Sequence, residues 1–125
     1  MSVTHRTVFN EQIPELTTPR ITFQIVDEAG TGFEPSTLTL TLYNVKTGAM
    51  LNSRDHQNVV DAAGVTVDAQ GQVVWQTSAE DMAILVATES LEVHVALLEW
   101  SWSLGTKHGK HELEFHVRNL TEVPA

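Results

Sequence analysis

The chain has 125 residues, 42% hydrophobic and 18% charged, which suits one globular domain with a modest core and excludes a disordered chain. Seven Lys and Arg against sixteen Asp and Glu give a formal charge of −9, which argues against nucleic acid and anionic membrane, because phosphate recognition needs clustered cations. There is no cysteine, so disulfides, thiolate metal sites and Cys nucleophiles are excluded.

The first ten residues, MSVTHRTVFN, lack the apolar stretch of a signal peptide, and no apolar run reaches the ~18–20 residues that span a bilayer. Residues 1–19 read as an extended N-terminal arm. Pro14 and Pro19 disfavour helix, and Val8, Phe9, Ile13 and Leu16 are isolated apolar positions available for contact. The arm is either a first strand or a segment that packs on a neighbouring subunit.

A domain over 20–125 follows. ITFQIV alternates Ile21, Phe23 and Ile25 with polar residues, the period of a half-buried strand, and DEAGTGFEP supplies turn residues. TLTLTLYNV alternates again, and Lys46-Thr47-Gly48 suits a hairpin into a short strand. SRDHQNVVDAAG is irregular, with room for one helical turn. VTVDAQGQVVW reads as two strands about a turn at Ala69-Gln70-Gly71. SAEDMAILVA reads as a short helix, Ser78 being the N-cap and Asp81 sitting at the capping-box offset.

LEVHVALLEWSW and HELEFHVRNL, joined by SLGTKHGK, form the strongest unit, an antiparallel hairpin. Leu113 and Phe115 point one way and Glu112, Glu114, His116 and Arg118 the other. If Trp102 faces His111, then Trp100 faces Leu113, Leu98 faces Phe115 and Glu99 faces Glu114. Trp100, Trp102, Leu113 and Phe115 are then core anchors, and Glu99, Glu112, Glu114, His116 and Arg118 form a candidate docking face for a basic partner. The first strand is nearly all apolar, as for a strand covered on both faces. One cover is the core; the other is the helix near Met82 or another subunit. The expected architecture is all-β, an immunoglobulin-like antiparallel β-sandwich of about seven to eight strands with one short helix.

Sharper chemistry finds little support. His111 and His116 are five apart, which on a strand puts them on opposite faces, so HELEFH does not offer one ion two ligands; His94 and His116 approach only if the register allows. Glu99 and Glu114, if opposed, raise one carboxyl pKa, but no nucleophile or third group accompanies them. There is no G-x-S-x-G elbow and no phosphate-binding Gly loop. Neither catalytic residues nor a cofactor or metal are expected.

Val26-Asp27-Glu28, the strand Thr37 to Asn44, Asn52-Ser53-Arg54-Asp55, the segment Ser78 to Val86 and Glu99 to Trp102 recur in this order in a known group. The chain resembles, over about Arg20 to Leu120, small immunoglobulin-like structural proteins of tailed bacteriophages, coded among head, neck and tail genes. The resemblance implies a virion component without catalysis, assembled in the host cytoplasm. It would act as a homo-oligomer docking on portal, adaptor or capsid proteins, at the head–tail junction or as a capsid decoration or tail component. A carbohydrate-binding adhesin module using exposed Trp75, Trp100 or Trp102 is the alternative of a different class.

Overall fold

The computed structural model describes residues 2–27, 29–86, 88–102 and 107–119, with backbone only at 2–6 and 10. The tip of the last hairpin and the expected domain end at Ala125 lie outside the described residues.

The chain is all-β. It runs β1 (Ser2–Pro14), β2 (Arg20–Gln24), β3 (Thr37–Asn44), β4 (Gln57–Asn58), β5 (Val65–Val67), β6 (Gln72–Gln76), β7 (Leu91–Trp102) and β8 (Lys107–Arg118). One sheet has the order β1-β8-β7-β3-β4 and the other β2-β6-β5. Every pairing is antiparallel except β1 with β8, which is parallel, so the expected purely antiparallel arrangement is corrected to mixed. Residues 2–14 of the expected arm are the edge strand of the larger sheet, with an irregularity between Val8 and Gln12.

Alternation drives the packing. Leu38, Leu40 and Leu42 of β3, Leu98 and Trp100 of β7, and Leu113, Phe115 and Val117 of β8 turn to the same side. They meet Ile21, Val65, Val67, Val73 and Trp75 of the smaller sheet in one apolar core. Burying each such side chain stabilises the fold by roughly 1.5–3 kcal/mol before entropy is counted. At Gly71 the β5–β6 turn requires glycine, because φ is +79 and a Cβ would meet the carbonyl oxygens of Phe33 and Ile25 at 2.4 and 2.5 Å.

Two local expectations change. The helix of Ser78 to Val86 reduces to one 3-10 turn, Ala79–Met82, followed by extended backbone at Ala83. Asp81 does reach back to the Ser78 N–H at 2.9 Å. Beyond the turn, however, the N–H groups of Leu85 and Val86 donate to the Glu92 carboxylate, which displaces the carbonyls a helix would use. The segment 49–64 holds no helical turn among its described residues. Asn52, Ser53, His56, Asp61 and Ala63 adopt left-handed φ, and the chain instead follows the β3 edge, with Leu51 N–H on Leu42, Leu42 N–H on Arg54 and Val59 N–H on Leu38.

What fixes this irregular segment is a buried ion pair. The Arg54 guanidinium, with its side chain 5% exposed, grips both oxygens of Asp81, whose side chain is 0% exposed. It also donates to Gln57 Oε1 at 2.8 Å and to the Ala63 carbonyl at 3.1 Å, and lies 5.7 Å from the Trp75 ring centre. Asn52 Nδ2 adds a third donor to Asp81 at 3.0 Å. Burial alone raises the Asp81 carboxyl, but the hydrogen bonds from Arg54, Asn52 and the Ser78 N–H, with the guanidinium charge, outweigh it and hold the pKa below the ordinary carboxylate value.

Removing one partner of such a pair strands the other charge. Arg54→Met is expected to cost about 3–5 kcal/mol in urea unfolding, and pairing it with Asp81→Leu to recover part of that loss. A single-variant loss under about 1 kcal/mol would show that the pair is not the tie described.

Candidate docking face

The register of β7 and β8 decides what faces what. Trp102 pairs with Lys107, Trp100 with Gly109, Leu98 with His111 and Glu99 with Lys110, a shift of four residues from the expected pairing. The cause is that Lys107 to Lys110, taken for loop, extend the strand. Because four is even, every residue keeps its face. The proposed Glu99–Glu114 opposition does not form: Glu114 stands opposite Val95 and Glu99 opposite a lysine.

Glu99, Glu112, Glu114, His116 and Arg118 do share one face, the side of the larger sheet turned away from the core. The face is of mixed charge rather than acidic. Lys110 and His108 join it, His56 Nε2 lies 3.6 Å from Glu99, and His116 Nε2 lies 3.6 Å from Glu114.

Between these groups runs an apolar stripe that the sequence reading located only in part. Val93, Val95 and Leu97 of β7 point outward beside Tyr43 of β3. Val45 extends the row through its N–H bond to the Val93 carbonyl, and Met50 bridges to Tyr43. Val45 is 50% and Met50 43% exposed. The Met82 turn does not cover this stripe: Met82 is fully buried in the core with the inward residues.

The arm positions divide. Phe9 and Ile13 pack against the core, whereas Val8 and Leu16 are exposed, Val8 in register with Glu114 and so on the outer face. The four anchors are inside: Leu113 and Phe115 are fully buried, and Trp100 and Trp102 nearly so. Trp100 lies over Gly109, where a Cβ would come 2.6 Å from the indole Nε1, and Trp102 stacks obliquely on Phe33 at 4.6 Å. Trp75 is also fully buried, so no tryptophan offers a ring to a sugar.

The histidines are dispersed as strand parity requires. His94 faces Phe115 on the core side and His116 sits outward opposite Val93, so they do not share an ion. His111 faces inward, with its Nε2 2.8 Å from Thr7 Oγ1 and its ring 4.8 Å from that of Phe23. Among the described residues no group of three or more metal-ligating side chains converges.

A site the sequence reading left unassigned is the buried Glu92–His94 pair. Glu92 accepts from Leu85 N–H at 3.0 Å, from Val86 N–H at 2.6 Å and from His94 Nε2 at 2.9 Å. A carboxylate only accepts, so Nε2 carries the proton and Nδ1 of this fully buried ring is a bare acceptor without a partner. A second proton there would bury an unmatched N–H. Burial therefore holds the His94 pKa below 6.5, against the opposing pull of the Glu92 hydrogen bond and charge. For Glu92, burial raises the pKa, but the Leu85 and Val86 amides and His94 outweigh it, leaving it lowered. The pair anchors a loop to a strand; its only signal in the sequence was an acid and a histidine at the inward positions of an apolar strand.

No family model, curated protein or solved structure matches the chain.

The lowered His94 pKa fixes the sign of a pH effect. Below 6.5 the unfolded chain takes up a proton that the folded chain refuses, so stability falls as pH falls through that window, by at most ~1.4 kcal/mol per pH unit for this one group. Urea midpoints between pH 7 and pH 5 should decline more steeply for the wild type than for His94→Gln. Equal slopes would remove His94 from the effect.

Proposed function

We propose that this chain is a non-enzymatic structural protein of a tailed-phage virion, assembled in several copies at the head–tail junction. The observation that carries this reading is the outward face of the larger sheet, apolar along β7 from Leu91 to Leu97, where Leu91, Val93 and Leu97 stay half-buried about a buried Val95. A solvated sheet face alternates polar residues outward; four consecutive outward positions of β7, Leu91, Val93, Val95 and Leu97, are apolar. Such a face belongs to a protein that works by being covered.

The strand order supports an immunoglobulin-like sandwich. β2-β6-β5 corresponds to the smaller sheet of that fold and β8-β7-β3 to the larger, with β4 added beside β3 as in its variable type. The resemblance of the segments from Val26 to Trp102 to small phage head, neck and tail proteins gives the class of assembly. Asn52 to Asp55, one of those segments, contains the arginine that organises the long connection. Assembly in many copies multiplies modest contacts, which is how a domain of this size contributes to a particle. Portal, adaptor and capsid proteins are the neighbours this reading assigns. Capsid decoration or a place in the tail rests on the same geometry. The adhesin reading loses its basis, because stacking on a sugar needs an exposed ring and all three tryptophans are buried.

The test is incorporation. Immunoblots of gradient-purified particles should contain the chain, and gold-labelled antibody should decorate the neck. Leu97→Glu should lower its amount in particles by about tenfold or more, the loss of a central apolar contact. Particles that lack the wild-type chain would sink the proposal.

A further inference from the structure

We propose that a small cavity at the start of β7 binds a protonated aliphatic amine, with its ammonium on Glu89 and its branched chain of about four to six carbons in the cavity. The site stands whether or not the chain enters particles.

The cavity measures about 160 Å³ and lies between the turn after β3 and the loop that leads into β7. Val45, Val86, Leu91 and Val93 give it an apolar wall. A void of about 150 Å³ holds a benzene-sized group, whereas drug-sized ligands need ~300 Å³ or more. The frame is fixed without a ligand. Val45 N–H is held by the Val93 carbonyl and Val86 N–H by the Glu92 carboxylate. The polar neighbours in the wall are already engaged: Asn44 Oδ1 accepts from the Lys46 and Thr47 N–H groups, and Glu92 from Leu85, Val86 and His94. The wall therefore selects an apolar body, because a polar one would lose its water for nothing.

Charge selects the head. Lys46 and Glu89 also line the cavity and form an ion pair, but the two halves are not equal. Glu89 is held by its backbone on both sides: its N–H donates to the Val86 carbonyl at 3.0 Å, and its carbonyl accepts from Asn119 Nδ2 at 2.9 Å. The Lys46 side chain is 73% exposed on a flexible stem, against 36% for Glu89. A pair this exposed is weak, so the lysine leaves at little cost. What stays is a carboxylate beside an apolar cavity, with the Glu92 carboxylate in the wall and a chain charge of −9 around it. That field draws cations and repels anions. An amine whose ammonium takes the place of Lys46 Nζ keeps the ion pair and adds the burial of its own carbons.

The experiment titrates the full isotope-labelled chain with isopentylammonium chloride and follows amide shifts by NMR. Shifts should centre on Val45, Val86, Leu91 and Val93 and saturate with a dissociation constant of about 1 mM, the scale open to so small a ligand. Isopentanol, of the same shape without the charge, should bind at least about fivefold more weakly, and isovalerate more weakly still. Glu89→Gln, at a half-buried position, should weaken the ammonium by about fivefold or more. Glu99→Gln makes the same change of net charge away from this cavity and should leave binding within about twofold. Val45→Phe, which fills the cavity from an exposed position, should abolish the shifts. Isovalerate binding as tightly as the ammonium, an equal loss with Glu89→Gln and Glu99→Gln, or shifts that persist in a folded Val45→Phe chain would overturn the site. So would a titration that never saturates at those four residues.

Discussion

The fold depends on a charge placed where water cannot reach it. Arg54 leaves an irregular segment on the edge of β3, enters the interior and closes on Asp81 at the 3-10 turn, with Trp75 of the smaller sheet beneath it. Its own carbonyl receives the Leu42 N–H, so the residue that carries the charge is also stitched to the larger sheet. One residue therefore joins both sheets and two of the long non-repetitive connections. A buried ion pair is weak evidence for net stability but strong evidence for geometry, because each charge tolerates few positions for the other.

A second buried carboxylate repeats the strategy at the far end of β7. Glu92 is an inward residue on a core strand, and its desolvation is offset by two backbone amides and a histidine. The amides are those of Leu85 and Val86, which a helix would have satisfied internally. Competition for backbone donors thus decides secondary structure here: the carboxylate wins, the helix stops after Met82, and the chain is delivered to the start of β7. Both carboxylates act as polar anchors for irregular backbone, which is how a small domain carries long connections without long helices.

β7 links architecture to function. Its inward positions supply the core, ending in the two tryptophans, and its outward positions from Leu91 to Leu97 are apolar and half-buried about a buried Val95. The inward set is explained by folding. The outward set is only partly buried by the domain, which is why the proposed function rests on it.

Strand parity was readable from the residues alone. Alternation in ITFQIV, TLTLTLYN and HELEFHVR separated two faces on each strand, and these hold because side-chain direction on a strand is local. The β5–β6 turn and the start of the 3-10 turn were legible for the same reason, glycine and the Ser78–Asp81 offset acting over a few residues. The β7–β8 register was not, since the composition of SLGTKHGK does not reveal that half of it pairs as strand. Nor were the partner of β1, the entry of Arg54 or the hold of Glu92 on the Leu85 and Val86 amides. Sequence by itself determined which face each strand residue takes, because that depends on near neighbours and the pleat. Only the tertiary structure decided which carboxylate meets which donor, because those pairings join residues far apart in the chain, from Arg54 and Asp81 to Thr7 and His111.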